Sequence, residues 1–178
     1  ALYNHILASQ NPTDGMMCYF VPLRMGTIKQ FSDQFNTFTC CVGSGMENHS
    51  KYAEGIYNET KDGNLLVNLF IPSELTWKTR NAVIKLETKL PFSENVKLKV
   101  SIKKPKEFGI AIREPKWVNQ KMQIVVNGKT IVVKANSFGY IDIKRRWTDG
   151  DIIELILPMS LHTESMPDNP KRIAFLYG

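Results

Sequence analysis

Hydrophobic and polar positions along the chain change period once, near Asp62-Gly63. Before that point the spacing is helical. Leu2, Ile6 and Leu7 recur at helix intervals, and Asn11-Pro12-Thr13-Asp14-Gly15 ends that segment with strong turn chemistry. Met16 to Leu23 predicts a short extended piece. Residues 24–39 form a long polar connection punctuated by Phe31, Phe35 and Phe38, a spacing that predicts a packed loop rather than disorder. Ser44 followed by Glu47 fits a capping box between two turn-permitting glycines, Gly43 and Gly45. A helix is therefore predicted to begin there, with Met46, Ser50, Ala53, Ile56 and Tyr57 on one face and Glu47 paired with Lys51 on another.

After Asp62-Gly63 the period falls to two. Leu65 to Ile71 is a continuous apolar run ended by Pro72. Val83 to Thr88 alternates, and Val96, Leu98, Val100 and Ile102 stand opposite Lys97, Lys99, Ser101 and Lys103, the clearest two-faced strand in the chain. Strands are also predicted at Phe108–Ile112, Met122–Val126, Thr130–Val133, Tyr140–Ile143, Ile152–Leu157 and Arg172–Tyr177. Asn127-Gly128 signals a type I′ hairpin, and Thr148-Asp149-Gly150 signals another turn. Seven or eight short strands with turns every ten or so residues predict a mainly β protein, an antiparallel β-sandwich over residues 61–178 preceded by a helical fragment over residues 1–60.

Composition changes this picture little. The chain has 178 residues, 43% hydrophobic and 22% charged, with a formal net charge of +6, ordinary for a globular protein. No run approaches the roughly 18 apolar residues that span a bilayer, and no leader is visible at the start. Ala1–Ala8 reads as the middle of a helix, and Gly178 directly follows an apolar run, so the chain is expected to be part of something longer. Residues 1–60 hold three basic and five acidic residues, and the remainder holds twenty and twelve. Most of those lysines alternate with apolar residues, as on the wet face of a sheet, where they also guard exposed strand edges. Basic residues interleaved with exposed aromatics are absent, so no nucleic-acid partner is expected.

Chemistry concentrates at Cys40-Cys41. A disulfide between sequence neighbours strains the backbone, and only Cys18 remains elsewhere. A metal site, a reactive thiol and two inert buried thiols stay open. The expected position just ahead of a helix N-terminus favours the thiolate, the form that attacks or binds metal. His49, one turn into the helix, is expected to be a hydrogen-bonded structural residue; His5 and His162 are isolated. Trp77, Trp117 and Trp147 are expected to pack the sandwich or its domain interface.

The run Cys40-Cys41-Val42-Gly43-Ser44-Gly45-Met46-Glu47-Asn48-His49-Ser50-Lys51-Tyr52 resembles a signature of bacterial β-L-arabinofuranosidases of glycoside hydrolase families 127 and 146, with the family 146 version nearer. Ala1–Gln10, Val67–Leu75 and Pro167–Pro170 extend the resemblance across the chain. It implies that residues 1–60 end an (α/α)6 barrel whose greater part is absent, and that a β-sandwich follows. It implies that Cys40 is a nucleophile and zinc ligand, and Cys41 a zinc ligand. The substrate implied is a plant-derived arabinose-containing oligosaccharide or glycan, met in the periplasm or outside the cell, with no membrane partner. The family's acid/base glutamate and third cysteine lie upstream of anything corresponding to Ala1. Cys18 does not match that cysteine, and Glu47, a capping residue, is not promoted to acid/base. The isolated chain is therefore expected not to hydrolyse glycosides. The competing expectation is a non-catalytic β-sandwich module for carbohydrate binding or domain support.

Overall fold

A computed structural model describes residues 2–37, 39–118 and 120–178, without the side chains of Leu2, Tyr3 and Val42. The chain forms two compact units, Ala1–Glu54 and Gly55–Gly178.

The first unit opens with two short helical turns, Leu2–Ile6 and Leu7–Ser9. Asn11–Gly15 then turns the chain back. The Asn11 amide donates to the Met16 carbonyl at 2.7 Å, and Gly15 takes the left-handed φ of 79° that the turn requires. In place of the expected extended piece at Met16–Leu23, a single bridge pairs Gln10 with Met17 among the described residues. The connection that follows is irregular. Phe31 is half-buried and Phe35 is 90% exposed, so the spaced phenylalanines do not form one packed cluster; Phe38 lies outside the described residues.

The one long helix among the described residues, α1, runs Cys40–Ile56. It starts at the thiol pair, four residues before the predicted Ser44 cap. Its covered stripe is Gly45, His49, Tyr52 and Ile56, spaced i, i+4, i+7 and i+11. Met46, Ser50 and Ala53, predicted to face inward, are exposed. A Cβ on Gly45 would meet Met17 Cε at 2.9 Å; the glycine admits a methionine where the hydrophobic pattern shows no apolar residue. Lys51 pairs with Glu54 at 3.3 Å rather than with Glu47.

The second unit is a sandwich of two sheets. One contains β1 (Tyr57–Glu59), β2 (Leu65–Val67), β6 (Lys106–Arg113) and β9 (Tyr140–Trp147), in that order. The other has the order β3 (Ser73–Trp77), β4 (Ala82–Thr88), β5 (Asn95–Ile102), β10 (Ile152–Ile156), β7 (Gln123–Val126) and β8 (Lys129–Ile131), with every pairing antiparallel. The first sheet departs from an all-antiparallel pattern at one place, where β2 pairs parallel with β6. Between the sheets a single apolar core includes Val96, Leu98 and Val100 of β5, Ile84 and Leu86 of β4, and Ile110 and Ile112 of β6. The alternation read in β5 sends Val96, Leu98, Val100 and Ile102 inward at 2%, 0%, 0% and 6% exposure. Asn127 and Gly128 both have positive φ, 50° and 75°, as a type I′ turn requires.

Three aromatic rings set the centre of one end of the sandwich. Trp77 meets Phe108 edge-on at 5.0 Å, and Phe108 stacks with Trp147 at 5.9 Å, whose indole N–H donates to the Phe108 carbonyl at 2.9 Å. Trp77 and Trp147 are buried as expected, and Trp117 packs against the core partly buried. Asp151, 6% exposed, closes the Thr148–Gly150 turn by accepting from the Thr148 amide and hydroxyl at 2.9 Å each and from Asn127 Nδ2 at 2.8 Å. Burial pushes its carboxyl up, but these donors and Arg145 outweigh that and hold it below the usual range.

Some strands differ from the expected ones. The run Leu65–Ile71 is a strand only to Val67, and β3 and β1 fall where no strand was predicted. The predicted last strand, β12 (Ile173–Tyr177), pairs with β11 (Leu161–Ser165) in a separate two-stranded sheet.

Asn68 joins the end of α1 to the first sheet. Its Nδ2 donates to the Gly55 carbonyl at 3.2 Å and to Asn58 Oδ1 at 2.6 Å, its backbone amide donates to the Ile56 carbonyl at 2.9 Å, and its Oδ1 accepts from the Tyr140 hydroxyl at 2.7 Å. Replacing Asn68 by Ala keeps the amide on Ile56 but strands Gly55, Asn58 and Tyr140, and the unfolding free energy is expected to fall by about 2 kcal/mol, with Tyr140→Phe coupled to it in a double-mutant cycle. Urea unfolding of the four proteins measures both; independent, additive losses would refute the link.

Candidate active site

The sulfur atoms of Cys40 and Cys41 stand 3.5 Å apart on the first turn of α1. Both residues are exposed, which removes the reading of two inert buried thiols. Cys18 is the opposite case: it is buried, and its Sγ donates to the Phe20 carbonyl at 3.1 Å. The three cysteines of the chain thus divide into one internal thiol and one exposed pair.

The pair occupies a position where the helix leaves amides unsatisfied. The thiol of Cys40 is held below its ordinary range, chiefly by the hydrogen bond from Cys41, then by one from the Tyr19 hydroxyl, with the backbone amides of Cys41 and Cys40 adding to these. Tyr19 responds in the opposite sense. Its phenol is pushed up by its hydrogen bonds to Cys41 and then Cys40, because losing its proton would place a second negative charge beside sulfur. Sequence reading missed Tyr19. It lies 21 residues before Cys40, in an irregular segment with no periodicity to mark it.

Several short-range ties shape the segment bearing Tyr19. The Cys18 amide donates to the Ser9 carbonyl at 2.7 Å, the Ser32 amide donates to the Met17 carbonyl at 2.9 Å, and the Tyr19 ring meets Phe20 edge-on at 4.6 Å. Beside the pair lies a cavity of about 250 Å³, lined among others by His5, Ser9, Tyr19, Cys41 and Asn48. Cys41, Gly45 and Asn48 face it from one side of α1. His49, expected to be hydrogen-bonded, instead has a buried Nε2 without a partner, and its ring meets Tyr52 edge-on at 5.5 Å. Glu47 contributes its carbonyl to the Ser50 hydroxyl at 2.7 Å.

Two sulfurs bound to one tetrahedral zinc ion stand about 3.8 Å apart, from bonds of about 2.3 Å. The 3.5 Å observed is close to that separation, so Cys40 and Cys41 fit two corners of a zinc site. Among the described residues no third His, Cys, Asp or Glu joins them. The remaining corners need ligands from elsewhere.

The loop leading to α1 is fixed by its own acid. Asp33 accepts from the Phe35 amide at 2.9 Å, the Thr37 hydroxyl at 2.9 Å and the Thr37 amide at 3.2 Å, and also from the Asn36 amide. These donors, the Asn36 and Phe35 amides foremost, lower its carboxyl to about 2. A depressed carboxyl stabilises its surroundings above its unfolded value and loses that contribution as pH falls through the folded one. The turn is therefore expected to hold down to about pH 4 and to open as pH falls towards 2. An NMR titration of Asp33 checks this; a midpoint at the ordinary 3.8 would refute the capped turn.

Two family models match the chain: the GH127 β-L-arabinofuranosidase catalytic domain over residues 1–54, and the GH127 β-L-arabinofuranosidase middle domain over residues 64–159. Among solved structures, a GH127 β-L-arabinofuranosidase from Geobacillus stearothermophilus T6 is 27% identical, with a TM-score of 0.69 over 78% of this chain and 23% of that one. A second GH127 β-arabinofuranosidase is 26% identical, with a TM-score of 0.66 over 78% of this chain and 25% of that one. A third, described as a glycoside hydrolase, shares the fold with a TM-score of 0.80 at 19% identity, over 99% of this chain and 31% of that one. The chain thus spans between 23% and 31% of the length of these structures. No curated protein matches it. No helix among the described residues is long and apolar enough to cross a membrane.

Proposed function

Because this chain belongs to the GH127 β-L-arabinofuranosidase family, we propose that its first unit supplies the nucleophile of a retaining glycoside hydrolase and that Cys40 is that nucleophile. The observation that carries the reading is the hydrogen bonding of the pair. The two sulfurs stand 3.5 Å apart, where either thiol can donate to the other, and the Cys40 thiol is held below its ordinary range, chiefly by Cys41 and then by Tyr19. A thiolate so placed, on an exposed helix start beside a cavity, can reach the anomeric carbon of a bound sugar.

In the first step the Cys40 sulfur forms a bond to the anomeric carbon while the bond to the departing glycosidic oxygen breaks, and that oxygen takes a proton from an acid outside this chain. In the second step water attacks the same carbon, the carbon–sulfur bond breaks, and the thiolate is regenerated. Two inversions retain the anomeric configuration. Cys40 and Cys41 would together hold a zinc ion, which when bound keeps the sulfurs deprotonated at neutral pH. His5, Tyr19 and Asn48 present polar groups around the adjacent cavity, suited to the hydroxyls of an arabinofuranose carried on a plant-derived oligosaccharide or glycan.

The second unit serves this reading as a support. Its tryptophans Trp77 and Trp147 are committed to the core of the sandwich. Residues 1–60 are proposed as the last part of a helical barrel completed by other segments of a longer polypeptide, which would carry the acid/base glutamate and the missing zinc ligands.

The test is a polypeptide extended upstream of Ala1, as wild type and as Cys40→Ser and Cys41→Ser. The wild type is expected to hold one equivalent of zinc by elemental analysis and to hydrolyse a β-L-arabinofuranoside. Both substitutions should lose the metal, and Cys40→Ser should reduce turnover by at least about a thousandfold, the scale for a lost nucleophile. Full zinc and undiminished turnover in Cys40→Ser would remove the assignment, and robust hydrolysis by the 178-residue chain alone would overturn the reading that the acid lies outside it.

A further inference from the structure

We propose that one end of the sandwich carries a binding cleft for a uronate-bearing glycan, a sugar chain with carboxylates on its rings, held by Lys78, Lys103, Lys104 and Lys106. The choice of a glycan rests on the hydrolase reading of the first unit. The cleft goes beyond that reading by giving the second unit a ligand of its own.

Two short connections build the cleft. Between β3 and β4 the chain makes a single tight turn, Lys78–Arg80, closed by Asn81 at a left-handed φ of 52°. Between β5 and β6 it bends at residues 103–105, Lys-Lys-Pro, and β6 starts at once with Lys106. Trp77 pairs with Ala82 and Ala82 with Ile102, so the two connections leave the same end of that sheet side by side. They line a cavity of about 690 Å³, within the roughly 300–1,000 Å³ of ligand clefts. Its charged lining is Lys78, Arg80, Lys103, Lys104 and Lys106, with no acidic residue among the described ones.

Elsewhere the unit balances its lysines. On the outer face of the six-stranded sheet Lys85 pairs with Glu87 at 2.6 Å, and Lys97 stands between Glu87 of β4 and Glu154 of β10. At the cleft none of the four lysines has a carboxylate partner among the described residues. Acids on the flanking segments are engaged with other groups. Glu59 accepts from the Thr79 hydroxyl at 2.9 Å, Asp149 from the Ile102 amide at 3.0 Å, and Glu107 pairs with Lys144 at 3.9 Å. Arg80 is turned to neutral oxygens: its Nε donates to the Gly63 carbonyl at 2.8 Å and its Nη2 to the Asp62 carbonyl at 3.1 Å. Its charge is fixed in place without being neutralised. Cations gathered on a concave surface focus a positive field there, and an anionic ligand relieves their repulsion.

An unpaired donor points the same way. Trp77 lines the cavity at 4% exposure, and its buried indole N–H meets no acceptor, whereas that of Trp147 donates to the Phe108 carbonyl at 2.9 Å. A buried donor without a partner calls for an acceptor, and a sugar chain is rich in them.

The class of anion follows from which groups are free. A compact phosphate is met best by a guanidinium fork, and that of Arg80 is already occupied. Single-stranded nucleic acid needs exposed rings on which bases stack, and the Trp77 ring is packed against Phe108. Four flexible ammonium groups spread over two connections remain, and as point charges they suit single carboxylates spaced along a glycan.

The test is calorimetric titration of the full 178-residue chain at low ionic strength with a galacturonate hexamer, its methyl-esterified form and a single-stranded oligonucleotide of the same charge. The proteins are the wild type, Lys103→Gln/Lys104→Gln, and Lys97→Gln/Lys99→Gln, which removes the same charge from the sheet face. The wild type is expected to bind one hexamer, more weakly as salt is raised. The cleft variant is expected to bind about tenfold more weakly, the scale for two exposed charge contacts, and the sheet-face variant to match the wild type. Absence of hexamer binding would overturn the proposal, as would an equal loss in the sheet-face variant, undiminished binding of the esterified form or tighter binding of the oligonucleotide. None of these outcomes involves zinc or turnover, so they separate from any failure of the hydrolase reading.

Discussion

The end of α1 imposes a demand that much of the first sheet is arranged to meet. A helix leaves its last carbonyls without internal partners, and α1 has no loop after it in which water could serve them, because β1 begins at the next residue, Tyr57. Asn68 resolves this with one side chain and one amide, taking Gly55 and Ile56 as acceptors and Asn58 alongside them. Its own acceptor is used by Tyr140 at the start of β9. A short residue with two donors and an acceptor on one plane is needed there; aspartate lacks the donors and leucine lacks both. The strand pairings around it follow, with β2 set against β1 on one side and parallel to β6 on the other.

The other end of the same helix poses the complementary problem and receives a different solution. Open amides at a helix start favour negative charge, and the residues present there are thiols instead of the Asp or Ser that usually cap. Asp33, the nearest candidate acid, spends its carboxylate on the turn at Phe35–Thr37. The helix start is left with sulfur, and the Cys40 thiol is held below its ordinary range chiefly by Cys41 and then Tyr19, with the first-turn amides adding to these. Cys18, the same side chain inside the unit, donates to a carbonyl instead.

How far the sequence foretold this follows from what a period can carry. In β5 one face is dry and the other wet, so composition alternates and the strand is plain. In β6 the residues Phe108 to Ile112 are all buried, with the Asn64 side chain lying over Gly109, and the run is apolar without alternation. The edge strand β3, beginning after Pro72 with Ser73 and Glu74, has too few buried positions to show a period. The start of α1 was masked by Ser44 and Glu47, which have the chemistry of a cap but lie inside the helix. Its covered face was misjudged because Gly45 is the point of closest approach, and a glycine contributes nothing to hydrophobic spacing. The thiol pair was conspicuous from its adjacency alone. Tyr19 was not, because its contact with the pair is made by the tertiary course of an aperiodic segment.

The 3.5 Å between the sulfurs also constrains which charge states the pair can hold. Two thiolates at that distance repel strongly in any medium less polar than water, so two bare negative charges are not a stable occupancy. A single proton shared between them avoids that repulsion, since at this distance either sulfur can donate to the other. A divalent cation held there would offset the second charge, and the separation is close to that of two corners of a tetrahedral site. The arrangement is thus suited to a single shared proton without metal and to none with it.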